Sequence, residues 1–176
     1  NKLISLRHFK TLVNIFYCYL TRHQPLLTLN FIDSLNDENV ILVHNKKKFV
    51  AHGLNLGISM ARGEIIIRLD DHCDYPDNYF DNILDTFKKT GADIVGGPTC
   101  FPEKNLDLFQ SSVANIFHTK FGMGDSSVHD KNFEGFTDSV TFGAWKKKIF
   151  EISGGFDSSL VRNQDDDFHL RLIKNG

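Results

Sequence analysis

An α/β fold, with a doubly wound, mostly parallel sheet flanked by helices, is predicted by three patterns in the middle of the chain. Short apolar runs at 40–43, 65–69 and 92–95 have the length and aliphatic content of buried strands. The segments between them carry apolar residues at helical spacing. Glycine or proline stands at the joints, at Gly63, at Gly91 and at Gly96-Gly97-Pro98. Strand, helix, strand, helix, strand in so short a stretch calls for right-handed crossovers and strands that run the same way.

Each element has its own justification. Residues 1–38 form a divergent N-terminal segment without a clean period, in which a helix over 6–20 is the best reading. The domain proper is read over 39–176. Val40-Ile41-Leu42-Val43 is a short strand, and His44-Asn45 with Lys46-Lys47-Lys48 makes the turn after it. Val50, Leu54, Ile58 and Ala61 then recur at four, four and three residues, one apolar helix face closed by Gly63. Ile65, Ile66, Ile67 and Leu69 suit a strand covered on both faces. A helix opens at Pro76-Asp77, carries Phe80, Ile83, Leu84 and Phe87 at core spacing, and ends with Lys88-Lys89 and Gly91. After the 92–95 strand, residues 101–136 are rich in loop, with a helix near 106–117; this stretch suits a lid or acceptor-binding element, or a surface excursion. Asn163 is a natural N-cap for a final helix, with Asp165, Asp166 and Asp167 in its first turn and Phe168, Leu172 and Ile173 on its apolar side.

Composition narrows the classes of function. The chain has 176 residues, 41% of them hydrophobic, and a formal net charge of -2, enough for one folded domain. Its basic residues are scattered, which leaves neither a nucleic-acid footprint nor a polybasic membrane patch. Three cysteines without paired spacing favour reduced thiols in a cytoplasmic setting; a peripheral place at the inner face of the cell membrane would need surface contact or further parts of the protein. The apolar stretch from Leu12 to Leu20 is too short to cross a bilayer and lacks a secretory cleavage site.

Two acidic clusters carry the chemistry. At the end of the 65–69 strand, alternation points Asp70 and His72 the same way and Asp71 the other. A carboxylate beside an imidazole can hold a divalent ion, and such an ion can neutralise a diphosphate leaving group. The competing reading is that these acids only cap the following turn. A zinc site from His72, Cys73 and Cys100 is a lesser alternative. The second cluster, Asp165-Asp166-Asp167, is explained by capping, yet three consecutive carboxylates exceed what capping requires; one of them is a candidate general base. Lys46 to Lys48 and His52 can approach phosphates or lie on a solvated surface, and Trp145 can stack on a sugar or fill a core. Gly96 and Gly97 either let the backbone approach a sugar or simply make a turn.

The order of these segments resembles family 2 glycosyltransferases of the GT-A fold, in particular bacterial polysaccharide transferases of the succinoglycan-biosynthesis type. The resemblance rests on Asn45 through Asp70 (with Phe49-Val-Ala-His-Gly-Leu-Asn-Leu-Gly-Ile, Ala61-Arg-Gly-Glu and Arg68-Leu-Asp-Asp-His), on Gly91-Ala-Asp-Ile-Val-Gly-Gly-Pro, and on Phe142-Gly-Ala-Trp, Gly154-Gly-Phe-Asp and Arg162-Asn-Gln-Asp-Asp-Asp through Leu170-Arg-Leu. It implies a metal-dependent inverting transferase that moves a sugar from a nucleoside diphosphate sugar to a glycan or lipid-linked acceptor, with membrane-associated assembly partners. It further implies Mn²⁺ or Mg²⁺ on Asp70 and His72, donor binding by Asp70, Asp71, Asn55 and Lys48, and Asp165 as base. Two departures stand out. Gln164 replaces the family's glutamate before the base, and the usual N-terminal nucleotide-binding strand is not evident in residues 1–38, so the chain reads as truncated at both ends. These departures keep a non-catalytic nucleotide-sugar-binding or assembly module in view. A nucleotidyltransferase is a third reading, weakened by the lack of a Gly-rich phosphate loop.

Overall fold

A computed structural model of the chain describes residues 34, 36–37, 40–70, 73–100, 106–117, 119, 130–140 and 142–175. The elements, in order, are α1 (Val50–Met60), β1 (Ile65–Ile67), α2 (Tyr79–Thr90), β2 (Ile94–Val95), α3 (Leu108–Phe117), β3 (Ala144–Lys146), α4 (Lys148–Ser153) and α5 (Gln164–Lys174). The predicted helix over 6–20 lies outside the described residues.

The helices follow the periodicity that predicts them. In α1 the buried positions are Ala51 and Gly53, with Leu54 and Ile58 packed against the core, whereas Val50 at the first turn is exposed. Helix α2 buries Ile83 and Phe87 and stops where Gly91 turns left-handed at φ 69°, its N–H returning to the Phe87 carbonyl at 3.0 Å.

The sheet corrects the expectation of parallel neighbours. Its order is β1-β3-β2, and β3 runs antiparallel to both flanking strands. Strands β1 and β2 therefore run in the same direction, as the crossover through α2 requires, but β3 lies between them. Nothing in the periodicity announces β3, which is three residues long and arrives from a loop. The 40–43 segment, expected as a strand, pairs with no strand among the described residues, although Val43 is buried.

Alternation along these short strands sorts the core into two layers. Ile66, Trp145 and Ile94 face each other across the register and pack on one side with Ala51, Ile149, Phe150, Phe156 and Phe168. Ile65, Ile67, Ala144 and Val95 face the other side, against Ile83, Phe87 and Tyr79 of α2. Helices α1, α4 and α5 thus cover one face and α2 covers the opposite one. Trp145 is buried, with its ring edge-on to Phe150 and Phe156, so of its two readings the core aromatic holds and the sugar-stacking one does not. Among the described residues no helix is long and apolar enough to cross a membrane.

Candidate functional site

The site grows out of the carboxyl end of β1. The ladder continues one residue past the strand, where the Arg68 N–H donates to the Gly143 carbonyl at 3.1 Å. Period-two alternation from Ile66 sends Arg68 to the α5 side of the sheet, and on α5 the residue one turn before core Phe168 is Asp165. The packing that buries Ile66 and Phe168 therefore delivers Arg68 to Asp165.

Arg68 joins the two acidic clusters. Its Nε donates to Asp70 Oδ1 at 2.8 Å and its Nη2 to Asp70 Oδ2 at 3.2 Å, a side-on fork. Its Nη1 donates to Asp165 Oδ2 at 2.9 Å and Oδ1 at 3.0 Å. The guanidinium also lies over the Phe142 ring, 5.1 Å from its centroid. The three side chains are only 11% (Arg68), 19% (Asp70) and 24% (Asp165) exposed, so these contacts are screened far less than surface pairs. Burial alone would lower the guanidinium's hold on its proton, but bonding to Asp70 and Asp165 outweighs it, and the net direction is upward. The Asp70 N–H donates to the Tyr75 hydroxyl at 2.8 Å, and burial pushes that phenol above its ordinary range.

The three consecutive acids part company. Asp167 accepts from Arg171 Nε at 2.9 Å, and the same guanidinium reaches the carbonyls of Ser153 (2.9 Å) and Gly155 (2.8 Å), fastening α5 to the end of α4. Asp166 accepts from Ser139 Oγ at 3.3 Å. Asp165 alone turns to β1. Asn163 precedes the helix but sits left-handed at φ 58° and makes no side-chain cap, contrary to its expected role.

Behind Asp165 runs a chain of hydrogen bonds not anticipated from sequence. Trp145 Nε1 donates to His169 Nε2 at 3.4 Å, and His169 Nδ1 lies 3.1 Å from Ser139 Oγ. With Nε2 accepting, the neutral imidazole carries its proton on Nδ1 and donates to Ser139, which donates onward to Asp166. Burial lowers the His169 pKa, against the opposing pull of Asp165, Asp166 and Asp138.

The other nominated residues are distributed as follows. Asp71 and His72 lie outside the described residues. Lys48 is exposed and left-handed at φ 62°, in the turn where buried Asn45 Nδ2 caps the Phe49 carbonyl at 2.8 Å. Asn55 is engaged elsewhere: its Nδ2 donates to the Phe156 carbonyl (2.7 Å) and Ser158 Oγ (3.2 Å), and its Oδ1 accepts from the Phe156 N–H (2.8 Å). Gly155 is required beside it, since a Cβ there would overlap the Asn55 amide. Gly96 packs against Val140, where a Cβ would come within 2.7 Å of that side chain.

A divalent ion would find one hard ligand among the described residues, Asp70, whose oxygens keep lone pairs beyond the Arg68 contacts and suit Mg²⁺ or Mn²⁺. No cluster of three or more His, Cys, Asp or Glu side chains is arranged for a metal among the described residues.

Comparison with known proteins agrees with this architecture. The family model described as glycosyl transferase family 2 matches residues 25–151. The chain is 26% identical over 142 residues to the succinoglycan biosynthesis protein ExoA of Rhizobium meliloti (strain 1021), covering 80% of this chain and 42% of the relative. It is also 26% identical over 157 residues to a dolichyl N-acetyl-alpha-D-glucosaminyl phosphate 3-beta-D-2,3-diacetamido-2,3-dideoxy-beta-D-glucuronosyltransferase of Methanococcus voltae, covering 85% of this chain and 49% of that one. The chain thus spans less than half the length of these curated relatives. The crystal structure of S. aureus TarS 1-349 superposes with a TM-score of 0.62 at 11% identity, over 96% of this chain and 49% of TarS, a likeness of fold.

Proposed function

Because the chain belongs to glycosyl transferase family 2 and has the GT-A architecture, we propose that it carries the donor corner and the base of an inverting sugar transfer in cell-surface polysaccharide synthesis. The donor is a nucleoside diphosphate sugar and the acceptor a hydroxyl of a glycan or lipid-linked saccharide. Asp165 takes the acceptor proton as the acceptor oxygen bonds to the anomeric carbon; the bond from that carbon to the phosphate oxygen breaks, and the nucleoside diphosphate leaves. One in-line displacement inverts the anomeric centre and needs no covalent sugar intermediate.

Asp70 and His72 would hold Mn²⁺ or Mg²⁺, which when bound supplies positive charge against the departing diphosphate. Asp71 and Lys48 belong to the donor side of the same corner; Asn55 acts there indirectly, by fixing the turn beneath α5. Such a protein works on the cytoplasmic side of the cell membrane or peripherally on its inner face, beside membrane-associated assembly partners.

The observation that carries the reading is the Arg68 bridge, which brings Asp70 and Asp165 to opposite sides of one guanidinium. Asp70 and Asp165, the two side chains that the reading takes as donor corner and base, thereby share one edge of the sheet. The test pairs titration calorimetry, using UDP-, GDP- and dTDP-linked hexoses with Mn²⁺, with an assay of nucleoside diphosphate release. Asp165→Asn is expected to lower turnover by about 10²-fold or more while donor binding survives, the usual worth of a general base. Unchanged turnover in that variant removes Asp165 from the mechanism, and binding without turnover in the wild type favours a non-catalytic module.

A further inference from the structure

We propose that Arg68 is a positioning residue for the base, fixing where the Asp165 carboxylate points; this rests on the transferase reading above. Asp165 stands in the first turn of a helix whose N-cap makes no side-chain hydrogen bond. The hydrogen bonds its carboxylate accepts among the described residues come from Arg68. Without that donor no other hydrogen bond among the described residues fixes the side chain's rotamer, and a general base must meet its proton within hydrogen-bond reach.

Arginine suits the task for two chemical reasons. Its guanidinium stays protonated at any working pH, so it can neutralise Asp165 without competing for the acceptor's proton. Its rigid fork engages Asp70 from one edge and Asp165 from another, which fixes the angle between donor corner and base; an ammonium on a flexible stem has no such planar geometry. The fork is itself aimed, by the Phe142 ring it covers and by the Arg68 N–H bond to Gly143. Gly143 itself packs tightly, since a Cβ there would come within 2.7 Å of the Val140 side chain. Burying a cation between two carboxylates is a poor way to gain stability, because desolvation offsets the attraction. The arrangement is better accounted for by what it aligns.

The test compares wild type, Arg68→Gln, Arg68→Lys, Asp165→Asn and the Arg68→Gln/Asp165→Asn double variant. Thermal unfolding checks the fold, and steady-state kinetics use whichever of the UDP-, GDP- or dTDP-linked hexoses wild type turns over fastest. Arg68→Gln is expected to lower kcat about 10- to 100-fold, the scale of an ångström-sized misplacement, a loss larger than the rise in donor KM that follows from releasing Asp70. Arg68→Lys keeps the charge but not the fork and should fall between the two; it also serves if the glutamine variant does not fold. Because Arg68 acts through Asp165, the double variant should be within about twofold of Asp165→Asn alone. Wild-type kcat in Arg68→Gln, a loss confined to KM, or multiplicative losses in the double variant would each overturn the proposal while leaving the transferase reading intact. A wild-type chain that turns over none of the donors defeats the transferase reading and takes this inference with it.

Discussion

Two carboxylate–cation clusters tie this sheet to its surroundings, and they are built on opposite plans. At the carboxyl end of β1, one guanidinium lies between two carboxylates, with side-chain exposures of 11%, 19% and 24%. Beside β2, one carboxylate, Asp93, lies between two ammoniums, Lys146 at 3.0 Å and Lys148 at 3.1 Å, all in substantial contact with water. The first has excess negative charge in a partly dry setting; the second has excess positive charge in a wet one. Water screens the Asp93 cluster and leaves it a modest fastening between strands. The Arg68 cluster keeps its charges poorly hydrated, and an acidic excess there is suited to a cation or a proton.

The largest effect is expected from stripping both carboxylates from Arg68. Asp70→Asn with Asp165→Asn leaves a mostly buried guanidinium uncompensated and should destabilise the fold by about 3–5 kcal/mol in urea titration. A loss below about 1 kcal/mol would place the first cluster in the same class as the exposed one. His169 gives a smaller, pH-dependent effect. Burial depresses its pKa, so the folded chain binds the proton less readily than the unfolded chain. Its contribution is full above the ordinary imidazole pKa of about 6.5 and is lost as pH falls through the window beneath that value. Relative to His169→Gln, the wild-type Tm should fall more steeply between about pH 7 and 5, by roughly 2–4 °C, the shift that about 1 kcal/mol makes in a chain of this size. Parallel Tm curves would show that the imidazole is not excluded from protonation. Asp93→Asn comes last. Lys146 first, then Lys148, holds the Asp93 carboxyl below its usual range, so its contribution is present above about pH 3.9 and fades as pH falls through the lower, folded value. The expected cost at neutral pH is about 0.2–1 kcal/mol, reduced by salt; a salt-independent cost would contradict its exposed character.

The sequence was a good guide to what depends on local spacing. Helices α1, α2 and α5 follow apolar periodicity and terminal signals such as Gly91, α3 forms where a helix near 106–117 is expected, and β1 follows its aliphatic run. It was a poor guide to what depends on partners. Strand β3 takes its identity from two neighbours that sandwich it rather than from its own three residues. Asn163 has the right chemistry for a cap but adopts a backbone conformation in which its side chain does not serve. Arg68 carries half of its signal locally: the alternation that pairs Asp70 with His72 also puts residue 68 on that side. Recognising its second partner required knowing that Phe168 and Ile66 share a core, a contact across about a hundred residues that no local pattern contains. Ser139 and His169 were invisible for the same reason.

One turn, Gly155-Phe156, is gripped from both sides. Asn55 holds its far end from α1, and Arg171 holds its near end from α5. The turn is therefore a shared anchor: it ties α1 to the last turn of α5, the helix whose first turn bears Asp165. A substitution at Asn55 is thus expected to loosen the seat of α5 from a position on α1 more than a hundred residues away in the chain.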